Sequence, residues 1–168
     1  HGESVEALIE LGRYQAGNNH FSEAIATLRS AIAYQNPEQR EADQVLGHLL
    51  LQLNEYAQAI EHLKKVQEVS PSREISYQII EATARLKRFD EADQLLADLL
   101  KDSQPDPTSA LLEAAIAEGR ADDLLAQGRV AEAEQMYPRQ REMLAKAESL
   151  DPTSPRPRLL LAQSLMRE

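Results

Sequence analysis

Four short phrases decide the reading: Phe21-Ser22-Glu23-Ala24-Ile25, Tyr56-Ala57-Gln58-Ala59-Ile60, Phe89-Asp90-Glu91-Ala92-Asp93 and Val130-Ala131-Glu132-Ala133-Glu134. Each places a large apolar residue three positions before an alanine. The alanines lie 35, 33 and 41 residues apart. Twelve residues before them stand Gly12, Gly47, Ile80 and Ala121, small in three of the four cases. Just ahead of those are Leu11, Leu46, Ile79 and, as an exception, Arg120. Four residues after the alanines come Leu28, Leu63, Leu96 and Tyr137, and Pro37, Pro71, Pro105 and Pro152 punctuate the ends. A fixed period of this length marks a chain of stacked repeats.

Each unit reads as helix–turn–helix. Leu8, Leu11 and Gln15 fall at helical spacing, as do Ala24, Ile25, Leu28, Ala31 and Ile32. Gly17-Asn18-Asn19-His20 between them is a turn, with Gly and Asn available for the left-handed conformation. The small residue on the first helix and the alanine on the second let two antiparallel helices approach closely. The aromatic that starts the second helix fills the gap beside the turn. Asn36-Pro37-Glu38-Gln39 reads as a helix start, with Asn36 as N-cap and Gln39 in the capping-box slot. Ser70-Pro71 and Asp151-Pro152 play the same punctuating role.

Composition agrees with an all-α chain. Of 168 residues, 42% are hydrophobic and 27% charged, so global disorder is excluded. Aromatics are 4% and Trp is absent, while the good helix formers Ala, Leu, Glu and Gln dominate. The net charge of −10 disfavours DNA, RNA and anionic membranes. No apolar run approaches the ~20 residues of a membrane span. Cysteine is absent, which removes disulfides, thiolate metal sites and a Cys nucleophile, and leaves the compartment open.

These residues resemble the tetratricopeptide repeat, a helix–turn–helix unit of ~34 residues. The resemblance implies a right-handed α-solenoid, with repeats at about 5–38, 39–72, 73–106 and 108–153 and a capping helix over about 155–167. The fourth unit departs from the pattern. Its second helix is expected to run from Val130 through Pro138 to Leu150, kinked at the proline, with roughly two extra turns inserted. Terminal drift and a family-specific insertion both account for this. The apolar stretch from Leu159 to Leu165 fits the first helix of a fifth repeat, acting as a cap or belonging to a longer array. His1-Gly2 is set aside as a cloning remnant.

No catalytic constellation is legible. The histidines His1, His20, His48 and His62 fall in no zinc pattern, and no Gly-rich phosphate loop or nucleophile elbow occurs. The carboxylate pairs Asp90-Glu91 and Asp122-Asp123 diverge around a helix. The chain is therefore expected to be no enzyme and to need no cofactor or metal. The resemblance instead implies a scaffold that grips a protein or peptide segment in a concave groove lined by the first helices. It places Glu6, Ile9 and Arg13 there in the first unit, and Glu41, Gln44, His48 and Leu51 in the second. In the third it places Glu74, Tyr77 and Glu81, and in the fourth Glu118 and Asp122. Acids outnumber bases, so the expected partner carries Lys or Arg with apolar anchors for Ile9, Leu51 and Tyr77. The alternatives are acids that only solubilise the surface and a Tyr77 that belongs to the core. Where one subclass of the family grips a chaperone tail's carboxylate, Arg13 alone would suit and the carboxylate would meet Glu74 and Glu81, which argues against an acidic tail. A rival expectation is a spacer or self-association module, through an apolar face of the C-terminal helix that includes Leu159, Leu160 and Leu165.

Overall fold

The computed structural model describes residues 4–101 and 103–166. Among these the regular structure is helical: α1 (Val5–Gly17), α2 (Phe21–Tyr34), α3 (Glu41–Gln52), α4 (Tyr56–Val69), α5 (Arg73–Arg85), α6 (Phe89–Leu100), α7 (Pro107–Ala126), α8 (Val130–Glu134), α9 (Tyr137–Leu150) and α10 (Arg156–Leu165). The chain divides into two compact units, with the boundary between Ala82 and Thr83.

The four alanine phrases each follow the same turn. Asn19, Asn54, Lys87 and Gly128 have φ of 63°, 60°, 60° and 75°. Each stands five residues before its alanine. The next residue donates its backbone N–H back across the turn: His20 to Gln15 O (2.8 Å), Glu55 to Leu50 O (2.9 Å), Arg88 to Thr83 O (3.2 Å) and Arg129 to Leu124 O (2.9 Å). This is the left-handed ending that satisfies the last carbonyls of a helix. It reverses the chain into the second helix of every unit, including the fourth.

In the first unit, α1 packs on α2 and α3 on α4, and α3 also meets α1 and α2. Ala24, Leu28, Leu46, Leu49, Leu50 and Ala59 form one buried cluster, and Leu8, Ile9, Ala31 and Ala42 another. Burying each such leucine stabilises the fold by roughly 1.5–3 kcal/mol. Gly12 and Gly47 set the helix spacing. A Cβ on Gly12 would lie 2.7 Å from Leu28 Cγ, and one on Gly47 would lie 2.9 Å from Leu63 Cγ. Phe21 fills the gap beside its turn, packed on the first cluster. Gln67 ties α4 to α5: its Nε2 donates to Ser76 Oγ (2.9 Å) and its Oε1 accepts from the Ser72 N–H (3.0 Å).

Leu11, at helical spacing with Leu8, is 44% exposed. Two expectations for this unit are corrected. Asn36 does not cap a helix. Its Oδ1 accepts the Glu38 N–H at 3.0 Å, a local turn, and α3 begins only at Glu41. Gln39 accordingly closes that turn through its N–H to Asn36 O at 2.8 Å. A feature with no expectation is Asp43, fully buried on α3. Its carboxyl accepts from Gln35 Nε2 (2.6 Å) and Arg40 Nη1 (3.4 Å) and pairs with His62 Nδ1 (2.7 Å).

In the second unit, α7 starts with a reciprocal cap. The Ser109 N–H donates to Asp106 Oδ1 (2.8 Å) and the Asp106 N–H to Ser109 Oγ (2.9 Å), with Pro107 in the first turn. α7 is long, at 20 residues. The predicted kinked helix over 130–150 is instead two helices. α8 ends at Glu134, and Pro138 sits in the first turn of α9, where its missing N–H has no helical partner to lose. α7 packs against both, with Ala121 and Ala133 buried and Ala114 meeting Met143 and Leu144. Tyr137 is only half-buried and Val130 is 51% exposed, so neither takes the core role of its counterparts. α10 packs on α9, with Leu160 and Leu161 against the Ala114 cluster. Leu160 therefore leaves the exposed face assigned to it. Ser164 is buried and donates to Gln140 Oε1 at 2.8 Å.

Arg120, the exception in the leucine column, has a clear role. It donates to Asp90 Oδ1 and Asp93 Oδ2, both at 2.7 Å, and its guanidinium lies 5.6 Å from the Phe89 ring centre. Arg139 adds a bond to Glu113 at 2.9 Å, which raises its already high pKa.

Candidate protein-binding surface

Six of the sequence-predicted groove residues come together on the first unit. Arg13 on α1 donates to Glu41 on α3 at 2.8 Å and lies 3.5 Å from Glu10. Beside this pair is a depression of about 490 Å³. Its lining includes Arg13, Glu41, Gln44 and His48, with the apolar Val45, Val66 and Val69. An adjoining depression of about 320 Å³ is lined by Glu6, Ile9 and Glu41 together with Val5, Gln35, Gln39 and Arg40.

Helical spacing explains the grouping. Glu41, Gln44 and His48 lie at i, i+3 and i+7 and share one face of α3. The His48 ring is held by a 3.0 Å hydrogen bond between its Nε2 and Gln78 Oε1 of α5. Ile9 is 3% exposed and packs with Leu8, Ala31 and Ala42, so it forms the floor of a depression rather than a projecting anchor.

The other predicted residues lie outside these two depressions. Leu51 is half-buried against the first core cluster. Glu74 and Glu81 are exposed on α5. Tyr77 is half-buried, with Arg73 Nε donating to its hydroxyl at 2.7 Å and the guanidinium 5.6 Å from its ring centre. Glu118, half-buried, and Asp122, exposed, belong to α7 of the second unit.

Sequence reasoning missed Glu38, Arg40, Val66 and Val69. Reading 36–39 as helix hid the loop, and Val66 and Val69 belong to the end of a second helix, outside the face considered. Both guanidinium groups at the larger depression already have carboxylates, Arg13 with Glu41 and Arg40 with Asp43. With those pairs made, Glu38 is the remaining carboxylate of that lining. Among the described residues no group of three or more His, Asp or Glu is placed to hold a metal, and no helix is long and apolar enough to cross a membrane.

An all-α chain of hairpins with recurring left-handed turns and small-residue contacts defines a class of helical-repeat proteins. Two tetratricopeptide-repeat profiles match it, over residues 9–74 and 50–116. The chain belongs to the tetratricopeptide repeat family, whose members are in general non-enzymatic scaffolds for protein interactions. No curated protein matches it significantly. Among solved structures it resembles MamA (residues 41 to the end) from Desulfovibrio magneticus RS-1, at 17% identity and a TM-score of 0.66, covering 99% of this chain and 86% of that one. It also resembles YrrB, described as a TPR protein with an unusual peptide-binding site, at 19% identity and a TM-score of 0.62, over 98% and 75% of the two chains. MamA MSR-1 follows at 22% identity and 0.59, over 86% and 79%. At these identities the likeness is one of fold.

Proposed function

We propose that this chain holds a protein or peptide segment carrying basic and apolar residues, and that it catalyses no reaction. The observation that carries the reading is the larger depression of the first unit. Valine side chains line it, Glu38 and Glu41 stand at it, and its own arginines are already paired. Lys or Arg of a bound segment would meet Glu38 and share Glu41 with Arg13, and an apolar side chain would cover the valines. Glu6, Glu74 and Glu81 extend the acidic character along α1 and α5. The peptide-binding site named for YrrB lends the reading support by analogy of fold.

The test is fluorescence anisotropy with two labelled peptides that share apolar residues, one with lysines and one with glutamates at the remaining positions. The lysine peptide should bind, and more weakly as salt rises. Glu41→Lys, or Glu74→Lys with Glu81→Lys, should weaken it by about tenfold without altering the circular dichroism spectrum. Equal binding of the glutamate peptide, or variants that bind as well as the parent, would overturn the reading. Self-association is a separate reading, favoured by Leu159 and Leu165 at 60% and 53% exposure on α10.

A further inference from the structure

Arg13 of α1 reaches two carboxylates at once. Its Nη2 donates to Glu41 Oε1 on α3 at 2.8 Å, and its Nε lies 3.5 Å from Glu10 Oε1 on its own helix. A guanidinium carries its donors in a fixed fork, so one side chain can serve both. The Arg13 and Glu41 side chains are 48% and 59% exposed. An ion pair so exposed contributes little to stability and opens readily. Arg40, the other guanidinium of the lining, differs, because it is held on the fully buried Asp43.

The Arg13 pair is not a demand of the fold. α1 is already seated by Leu8 and Ile9 packed with Ala31 and Ala42, and by Gly12 close to Leu28. Thirty-five residues on, the position of Arg13 is taken by His48, which bonds the neutral Gln78. What sets the pair apart is its place. Glu41 lines both depressions, and Arg13 lines the larger one. A basic side chain that reaches Glu41 from a bound segment comes up against Arg13, and like charges at contact repel.

On the reading that this depression binds a basic and apolar segment, we propose that Arg13 is a resident stand-in for the partner's basic side chain. In the free chain it holds Glu41. When a Lys or Arg of the segment takes its place, Arg13 withdraws to Glu10. The exchange replaces one ion pair by another, so charge alone gains little. The segment must also cover Val45, Val66 and Val69, which restricts the site to partners carrying both kinds of residue.

The test is an anisotropy titration of the full chain with the labelled lysine peptide. Arg13→Gln should bind it about fivefold more tightly at low salt, the worth of one like charge removed at contact in water, with unchanged melting temperature. Arg29→Gln, an equal change of net charge on α2 outside both depressions, should bind as the parent does. Glu10→Gln should weaken binding by about threefold in the parent, where Arg13 loses its second carboxylate, and change nothing in the Arg13→Gln background. An Arg13→Gln variant that binds no more tightly than Arg29→Gln would overturn the stand-in role and leave the binding reading intact. So would a Glu10→Gln loss of equal size in both backgrounds, since the two residues would then act through net charge alone. A peptide bound by neither the parent nor Arg13→Gln would overturn the binding reading itself, and the stand-in with it.

Discussion

Replacing Gly47 by alanine sets two well-measured effects against each other. Alanine in a helix interior is favoured over glycine by about 0.8–1.0 kcal/mol. The new Cβ, however, would fall 2.9 Å from both Cγ and Cδ2 of Leu63, and 3.7 Å from the Ala59 carbonyl oxygen. Carbon atoms pack best at about 3.5–4.0 Å. Leu63 is 0% exposed, and its Cγ lies at the root of the side chain, so relief requires the helices to part. Overpacking of this kind costs about 1–3 kcal/mol. The net expectation is a loss of about 1 kcal/mol, with Gly12→Ala at least as severe because its contact is 2.7 Å. Gly17→Ala is the control, since nothing lies within 4 Å of it and only the propensity gain remains. Equilibrium denaturation followed by far-ultraviolet circular dichroism reads all three. The stronger check is the double variant. Leu63→Ala alone should cost about 2–5 kcal/mol, and in that background Gly47→Ala should turn neutral or stabilising. If Gly47→Ala stabilised the parent chain as Gly17→Ala does, the close-approach account of the hairpin would be wrong.

Two further outcomes follow from the same packing. Ala59→Leu adds volume at a position that is 0% exposed against the first core cluster, and should lower stability by about 1–3 kcal/mol in thermal or chemical unfolding. Asp43→Ala should lower it by about 3 kcal/mol, because Gln35, Arg40 and His62 all direct polar atoms at the buried carboxyl and would lose their partner together.

The hairpins were legible because their chemistry is repeated and local. A small residue, a turn and an alanine at constant spacing leave few alternatives to two close antiparallel helices, and Gly12 against Leu28 realises that contact. The break between α8 and α9 was not legible. Pro138 is compatible with a kink inside one helix and with the first turn of a new one, and only packing against α7 decides between them. The loop at 36–39 misled for a related reason. Asn followed by Pro starts helices and turns alike, and its Oδ1 bond to the Glu38 N–H selects the turn. The groove residues carry no period to check against, because a surface side chain need not fit the same neighbour in every unit.

The two departures in the leucine column carry different meanings. Arg120 breaks the column, but its partner breaks the pattern with it: Asp93 stands one residue after its alanine, where the first two units have Ile25 and Ile60. In the first unit Ile25 packs on the cluster that contains Leu46. In the second unit the corresponding side chains are joined by a 2.7 Å ion pair instead. That exchange of an apolar contact for a charged one was written in the sequence as two coupled irregularities, and it kept the interface by changing its chemistry. Leu11 is the opposite case. It obeys the column, and yet it is 44% exposed, so a place in the sequence pattern does not by itself put a residue in the core.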